Sequence, residues 1–279
     1  MDWFEALILG IVQGLAEYLP ISSSGHLEIF SQILGLKMSG ADSLQFDLVL
    51  HVATVLSTIV VLWRRFVPLC TSFFTLRRDE NTTYVGKLLL SCIPVGIVGL
   101  FFKEEISTFF GVSEDGGNNL LTVGICLCVT AFLLAFAHFF RNKEFRSNAR
   151  SGRNISWSDA FIIGIGQAIA VLPGLSRSGT TIATGIILGD KREQVAQFSF
   201  FMVIIPILGE ALLSLVKILK AAPGEIDSPV GVLPMIIGFM ASFIVGCLAC
   251  KWMISLVSRG KLVWFSIYCL AVGILCICW

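Results

Sequence analysis

Charged residues are scarce in this chain of 279 residues: they make up 14% of the sequence, and the net charge is +1. Soluble domains carry about a quarter charged residues. The low charge therefore excludes an ordinary soluble domain. The lack of a dense basic face also argues against nucleic-acid binding, which depends on many phosphate contacts. Hydrophobic residues make up 56% of the chain instead, which predicts an integral membrane protein embedded in a lipid bilayer.

Two kinds of sequence signal are missing as well. The start, Met1-Asp2-Trp3-Phe4-Glu5, has no basic residues and no small-residue cleavage site, so we expect no removable signal peptide. The nine cysteines lie mostly in apolar runs, and the one Cys-x-x-Cys pair, Cys247 and Cys250, has no second pair to complete a metal site. We expect these thiols to behave as small hydrophobic side chains.

Hydrophobic runs predict six membrane spans and two shorter re-entrant hairpins. A helix needs about 20 apolar residues to cross a bilayer. The runs of that length are 44–63, 85–102, 119–140, 195–219, 229–250 and 260–279. The apolar segment 3–19 is shorter and is interrupted by Gln13 and Glu17, so we expect it to break and return over 27–36. A second helix–break–helix is predicted over 158–188.

The distribution of basic residues predicts the orientation of the spans, because cytoplasmic loops are rich in Lys and Arg. Four connections, 64–87, 141–158, 190–193 and 251–261, hold 15 of the 20 basic residues. The alternating connections hold only Lys37, Lys103, Lys217 and Lys220. This pattern predicts that both termini lie outside the cytoplasm.

The two polar hairpins repeat each other. At a constant offset of 154, Gln13, Ala16, Ser22, Ser24 and Gly25 match Gln167, Ala170, Ser176, Ser178 and Gly179; only the prolines, Pro20 and Pro173, slip by one place. Three spans separate the hairpins, so the halves are inverted, as in transporters that bind polar ligands between broken helices. We predict one all-α membrane domain over 1–279 with inverted halves, about 1–102 and 158–250. The alternative is two unrelated turns.

The first hairpin carries an acid, three serines and a histidine. Gln13 and Glu17, four residues apart, share a helix face. Glu17 is either an interhelical hydrogen-bonding residue or, as intramembrane carboxylates often are, a metal ligand or an acid–base group. The run Ser22 to His26 is either a simple helix cap or a nucleophile and phosphate cradle with a base nearby.

The second hairpin supplies a cation. Arg177 lies between apolar flanks and needs an anionic partner. That partner is either Glu17, in a purely structural pair, or a phosphate, whose geometry matches a guanidinium group. The neighbouring hydroxyl groups and glycines, which are Ser176, Ser178, Gly179 and Thr181, favour a phosphate.

These motifs resemble a known family. The segments QGLAEYLPISSSGH and PGLSRSGTT, with Phe46-Asp47 and Phe198-Ser199-Phe200, are similar to the signatures of the undecaprenyl-diphosphate phosphatases, the bacitracin-resistance membrane proteins. The resemblance covers nearly the whole chain. It implies hydrolysis of undecaprenyl diphosphate to the monophosphate carrier of peptidoglycan synthesis, on the outer side of the bacterial cytoplasmic membrane. It also implies a divalent cation, Mg²⁺ or Ca²⁺.

The resemblance assigns roles to residues. Glu17 matches the motif's glutamate, Ser23 its nucleophile and His26 its histidine, while Ser176, Arg177 and Thr181 match phosphate-binding positions. The resemblance and the interpretation of the two hairpins together predict four catalytic residues: Glu17, Ser23, His26 and Arg177. The predicted substrate-binding residues are Ser22, Ser24, Gly25, Ser176, Ser178, Gly179 and Thr181, and the predicted metal ligands are Glu17 and Gln13. Three attacking groups stay open: Ser23 with His26 as base, His26 itself, or a water activated by the metal.

One position departs from the family, because many relatives have a glutamate where this chain has Gln13. Asp47 is a candidate for the missing charge, and His51, one turn further on, is expected to be a packed helix histidine. Two rival functions are a transporter or flippase for an anionic prenyl-phosphate lipid and a receptor without turnover. The sequence leaves open whether the protein forms a homodimer.

Overall fold

The computed structural model describes residues 1–36, 40–75, 78–102, 119–145, 152–172, 174–220 and 230–279. In these residues the chain is helical, and the only β pairing is an isolated bridge between Arg153 and Asp190. The helices are α1 Trp3–Ala16, α2 Ser23–Ile33, α3 Gly40–Val61, α4 Trp63–Phe74, α5 Glu80–Phe101, α6 Asn119–Phe145, α7 Trp157–Ile169, α8 Arg177–Leu188, α9 Arg192–Met202, α10 Ile204–Lys220, α11 Val232–Ser258 and α12 Val263–Cys278. Lys37, Lys103 and Pro173 lie outside the described residues. All nine cysteines lie within them and are free.

Four helical stretches among the described residues are long and apolar enough to cross a membrane: Glu80–Phe101, Leu120–Phe140, Arg192–Ser214 and Val232–Ser258. They coincide with four of the six predicted spans. The chain is therefore an all-α, multi-pass membrane protein. The predicted span 260–279 contains the shorter apolar helix Val263–Cys278, so the full count of six stays a prediction.

The predicted span 44–63 continues into a second helix. Helix α4 follows α3 after a bend of 92° at Leu62, and a fifth span exists if the bent pair counts as one. The predicted connection 64–87 contains most of this helix, Trp63–Phe74. Arg64 and Arg65 directly follow the apolar run, and charged side chains are costly in hydrocarbon. The chain turns at this point and continues as an amphipathic helix.

The two hairpins have the same local structure at the same offset. Helices α1 and α7 begin at Trp3 and Trp157, and each is preceded by a capping box, formed by Asp2 with Glu5 and by Ser156 with Asp159. The returning helices α2 and α8 begin at Ser23 and Arg177, again 154 residues apart. The return therefore starts four residues earlier than the predicted Leu27, because a serine caps the helix.

Glycines let each hairpin pack closely on a helix from the other half. A Cβ added at Gly14 of α1 would lie 2.7 Å from the carbonyl oxygen of Ser242 in α11. One added at Gly164 of α7 would collide with the carbonyl oxygen of Ser91 in α5. Close backbone approach through small residues is typical of membrane helix pairs. This exchange of partners fixes both hairpin tips in the middle of the helix assembly.

Candidate active site

The carboxylate of Glu17 lies at the centre of the site, at the end of α1. Its Oε2 accepts hydrogen bonds from Ser23 Oγ at 2.8 Å and from Gln13 Nε2 at 3.0 Å, and His51 Nε2 lies 3.5 Å from the same oxygen. Its Oε1 accepts from Arg177 Nη2 at 3.2 Å. The Glu17 side chain is only 7% exposed. A buried carboxylate needs such partners, since an isolated one is too costly to ionise.

The turn of the first hairpin places Ser23 beside Glu17. Ser22 has a φ of +71°, which non-glycine residues seldom adopt, and its Oγ accepts a hydrogen bond from Gly25 N at 3.2 Å. This cap starts α2 at Ser23, whose hydroxyl group reaches back to the carboxylate. Strained backbone of this kind persists where the surrounding structure enforces it, often at functional sites.

The second hairpin meets the first at its tip. Gly174, at a φ of +87°, donates its backbone N–H to Ser24 Oγ at 3.4 Å, and Ser178 Oγ donates to the carbonyl oxygen of Leu19 at 3.2 Å. Ser176 caps α8 by accepting from Gly179 N at 3.0 Å, as Ser22 does in α2. The two hairpins therefore contact each other directly, and Arg177 begins the helix that faces Glu17.

Both hairpins line one cavity of about 550 Å³. Its polar walls are Glu17, Ser23, Ser24, His51, Gln167, Ser176, Arg177, Ser178 and Glu210. The remaining walls are mostly apolar and come largely from α5 and α10. Ligand pockets commonly have volumes of about 300–1,000 Å³, with a few polar groups in an apolar lining. The first turns of α2 and α8 both contribute to the wall, so two helix N-termini, which favour anions, lie at the site.

Several predicted substrate-binding residues support the hairpins from behind. Ser22, Gly25 and Gly179 are buried in the two caps, and Thr181 Oγ1 donates to the carbonyl oxygen of Arg177 at 2.8 Å. None of these four is among the residues that line the large cavity.

His26 also lies away from the cavity wall. Its Nδ1 donates to the carbonyl oxygen of Ser22 at 2.8 Å, and the ring stacks on Tyr268 with the planes 15° apart. Because Nδ1 is the donor, Nε2 of the neutral ring accepts from the Tyr268 hydroxyl group at 2.8 Å. Both ring nitrogens are thus engaged at the junction of α2 and α12.

Gln13 bears on the question of a metal. Its side chain is fully buried, its Nε2 donates to Glu17, and its Oε1 has no hydrogen-bond partner. The described residues contain no group of three or more His, Cys, Asp or Glu side chains placed to hold a metal. Magnesium, however, is often held by one or two carboxylates together with substrate phosphates. The carboxylate of Glu17, in the cavity wall, fits that mode of binding; the unpaired carbonyl oxygen of Gln13 belongs to the neighbouring side chain but is not part of the wall.

Sequence reasoning missed three wall residues. His51 was expected to be a packed histidine, but it contacts Glu17 and lines the cavity, with Nδ1 donating to the carbonyl oxygen of Asp47. Gln167 and Glu210 received no role. A signal existed for Gln167, because it occupies the repeat position of Gln13. The Asp47 side chain, the candidate for the missing charge, is not on the cavity wall.

Comparison with known proteins gives a consistent family. The family model described as bacitracin resistance protein BacA matches residues 6–275. The chain is 52% identical over 277 residues to the undecaprenyl-diphosphatase of Bacteroides fragilis (strain ATCC 25285), covering 99% of this chain and 98% of the relative. It is 51% identical to that of Parabacteroides distasonis, with the same coverage, and 42% identical to that of Christiangramia forsetii, covering 98% and 97%. The chain belongs to the BacA family of bacitracin resistance proteins.

Proposed function

We propose that the protein hydrolyses undecaprenyl diphosphate to undecaprenyl phosphate and phosphate, which returns the lipid carrier to peptidoglycan synthesis and confers bacitracin resistance. Relatives that match the chain over nearly their whole length bear the name of this activity. The observation that carries the proposal is the meeting of the hairpins. It brings an arginine to 3.2 Å and a hydroxyl group to 2.8 Å from one carboxylate in a cavity wall.

Arg177 is the residue best suited to bind the diphosphate. Guanidinium groups bind phosphate through parallel hydrogen bonds, and 27% of this side chain is exposed at the cavity. The hydroxyl groups of Ser24, Ser176 and Ser178 line the same wall. Gln167 adds a buried Nε2 without a hydrogen-bond partner. A phosphate oxygen would satisfy this donor, so we add Gln167 to the proposed substrate-binding residues.

Ser23 is the proposed nucleophile and Glu17 its base. The Ser23 hydroxyl group already donates to Glu17 Oε2 at 2.8 Å, within the range for proton transfer. Attack of Oγ on the terminal phosphorus breaks the bond to the bridging oxygen and releases undecaprenyl phosphate, while the proton moves to Glu17. Water then attacks the phosphorus of the serine phosphoester and the bond to Ser23 Oγ breaks. Glu17 returns its proton to Oγ, and phosphate leaves together with the proton that the water loses. In this scheme His26 holds the turn that contains Ser22, since both of its nitrogens are engaged there.

A divalent cation, Mg²⁺ or Ca²⁺, is part of the proposal. Glu17 and Gln13 Oε1 would hold it together with oxygens of the substrate. When bound there, such a cation would supply positive charge against the charge that develops on the transferred phosphoryl group. Arg177 contributes to the same task from the second hairpin.

The finer topology is also proposed: six spans and two re-entrant hairpins in an inverted repeat, in the bacterial cytoplasmic membrane, with the site open to the outer side. The helices of the two hairpins begin at positions 154 residues apart, and each hairpin packs on a helix of the other half. Both observations support the repeat. The alternation of basic loops supports the orientation. A reporter fused after Trp279 is expected to be active only outside the cytoplasm, and activity inside would reverse the orientation.

Transport of an anionic prenyl-phosphate lipid is the second candidate. A small cavity of about 20 Å³, whose lining includes the hydroxyl-bearing residues Tyr18, Thr54, Thr58, Thr181 and Ser199, also contacts Glu17 and Arg177. The ion pair therefore borders two cavities. The two functions differ in product: a transporter moves labelled lipid across liposomes without releasing orthophosphate.

The nucleophile is tested by Ser23→Ala with Ser31→Ala as control, since Ser31 lies on α2 but not in the cavity wall. We expect phosphate release by Ser23→Ala to fall at least about a hundredfold, with Ser31→Ala unchanged. Hydrolysis by Ser23→Ala at the wild-type rate would remove the serine from the mechanism.

A further inference from the structure

The small cavity that borders the ion pair of Glu17 and Arg177 shares part of its wall with the large cavity. Its volume is about 20 Å³. Four residues line both cavities: Glu17, Gln167, Arg177 and Ser178. Ser23 lines only the large one. The small cavity therefore adjoins the proposed phosphate-binding groups but not the proposed nucleophile.

Two buried polar atoms in the lining of the small cavity have no hydrogen-bond partner among the described residues. They are Ser199 Oγ and Gln167 Nε2, on residues that are 4% and 1% exposed. The other hydroxyl groups of the lining all donate to carbonyl oxygens of the protein; they belong to Tyr18, Thr54, Thr58, Ser178 and Thr181. Buried polar groups without a partner are destabilising. The two unpaired atoms therefore indicate a ligand between them.

The size of the cavity and its charges favour water as this ligand. Roughly 10–15 Å³ is enough for one water molecule, which needs two to four polar partners. The guanidinium group of Arg177 disfavours a metal cation, and the carboxylate of Glu17 disfavours an anion. Water can accept from Gln167 Nε2, share a hydrogen bond with Ser199 Oγ and donate to Glu17. An amide nitrogen has two N–H groups, so Gln167 can bind this water and a phosphate oxygen together.

The sequence Phe198-Ser199-Phe200 holds the hydroxyl group at the cavity. The two phenylalanines are 0% and 3% exposed. Phe198 packs edge-on against Tyr84 of α5, and Phe200 packs edge-on against Tyr18 of the first hairpin. Aromatic pairs of this geometry are favourable beyond the area that they bury. They anchor this turn of α9, and Ser199 with it, beside the ion pair.

We propose that the small cavity binds the water molecule that attacks the phosphoserine at Ser23 in the second step of hydrolysis. This inference rests on the proposed function. Arg177 and Gln167 border both cavities, so a phosphoryl group that they bind has Ser23 on one side and the small cavity on the other. The attacking and leaving oxygens at phosphorus lie roughly in line. The water therefore has to approach from the side away from Ser23.

The second step balances with this water. Its oxygen bonds to phosphorus, and the bond from phosphorus to Ser23 Oγ breaks. Oγ takes back the proton that Glu17 holds, and the proton that the water loses leaves with phosphate. A water molecule that is already bound at the site also removes the entropic cost of capturing one for each turnover.

The water site is tested at Ser199. In Ser199→Val, two methyl groups replace the hydroxyl group and occupy the space of the water, whereas Ser199→Ala removes only the hydroxyl group. The control is Ser91→Ala in α5, because Ser91 is equally buried but donates to the carbonyl oxygen of Leu88 and lines neither cavity. Each protein is mixed with undecaprenyl diphosphate labelled on the terminal phosphorus. Undecaprenyl phosphate, orthophosphate and protein-bound label are followed separately from the first turnover.

We expect both Ser199 variants to release undecaprenyl phosphate in the first turnover at close to the wild-type rate and then to accumulate phosphoserine. Steady-state release of orthophosphate should fall at least about tenfold in Ser199→Val and less in Ser199→Ala. The labelled protein should approach about one phosphate per molecule, and Ser91→Ala should match the wild type. A fall in rate without protein-bound label, or wild-type rates in both Ser199 variants, would overturn the proposal.

A structural measurement separates this inference from the proposed function. A high-resolution crystal structure should show a water molecule bonded to Ser199 Oγ and Gln167 Nε2 in the wild type and none there in Ser199→Val. If the wild type releases no orthophosphate, the proposed function fails and the role of the water fails with it, whereas the binding site stands on the density alone. If the wild type releases orthophosphate but its cavity holds no water, only this inference fails.

Discussion

Replacement of Glu17 by glutamine is the most informative single change. It keeps the shape of the side chain but removes the charge that Ser23, Gln13, His51 and Arg177 surround. At 3.2 Å and an effective dielectric constant of about 20, the attraction between Glu17 and Arg177 is about 5 kcal/mol before desolvation. Because 27% of the Arg177 side chain is exposed, solvent screens part of that attraction and the stability loss will be smaller.

The catalytic loss is expected to be much larger than the stability loss. An amide cannot take the proton of the Ser23 hydroxyl group, and a positioned general base is worth about 10²- to 10⁴-fold in rate. We therefore expect kcat for phosphate release from undecaprenyl diphosphate to fall by that factor in Glu17→Gln. Removal of the buried charge also relieves its desolvation cost, which offsets much of the lost attraction, so the unfolding temperature in detergent should change by only a few degrees, consistent with about 1 kcal/mol.

Helix α9 offers a matched control. Glu193 accepts a hydrogen bond from Gln197 Nε2 at 3.3 Å, with the same spacing of four residues as Glu17 and Gln13, but this pair is exposed. Glu193→Gln should leave kcat and stability unchanged. If Glu17→Gln keeps more than half of the wild-type kcat, the carboxylate is not the base and the proposed mechanism is refuted.

Six further substitutions, at four residues, test the surrounding contacts. Arg177→Lys, which keeps the charge but loses the paired donors, should retain more kcat/KM than Arg177→Ala, which is expected to lose at least about a hundredfold; equal losses would contradict phosphate binding by the guanidinium group. His51→Gln keeps a donor near Glu17 and should approach the wild-type kcat, whereas His51→Leu should lower kcat about tenfold. Equal kcat values for the two variants would show that the contact between His51 and Glu17 does not contribute to catalysis. Gln167→Leu should raise KM about tenfold or more, since a hydrogen bond to a charged group is worth about 1.5–3 kcal/mol; an unchanged KM would remove this donor from the site. Gly14→Leu should lower the unfolding temperature strongly because its Cβ would lie 2.7 Å from a backbone oxygen, and an unchanged temperature would contradict the tight packing of α1.

The repeated hairpins were the part of the fold most accessible from the sequence. Ser22 and Ser176 are strong helix caps, and the same offset that aligned them also aligns the helix starts in the structure. The bend at Leu62 was harder to foresee. The helix after the bend, Trp63–Phe74, contains both apolar and basic residues, so a count of apolar runs assigns it to a loop.

The site was predictable as a set of residues but less so as a set of contacts. An isolated carboxylate and an isolated arginine in apolar segments require partners, which is why the sequence offered Glu17 as the alternative to a phosphate for Arg177; the structure shows the pair with Glu17. The orientation of a histidine on its helix decides its role, and sequence spacing does not give it with enough precision. His26 and His51 show the difference, because the structure places the first on Tyr268 and the second on Glu17.

In the proposed function, a prenyl diphosphate is hydrolysed in the cavity between the two hairpins. The most direct measurement is orthophosphate release from undecaprenyl diphosphate by the purified full-length protein in liposomes, with a chelator, with added Mg²⁺ or Ca²⁺, and with Arg177→Ala as control. We expect release by the wild type that the chelator abolishes and the metal restores, and at least about a hundredfold less by the variant. Movement of labelled lipid across the bilayer without release of orthophosphate would contradict the claim.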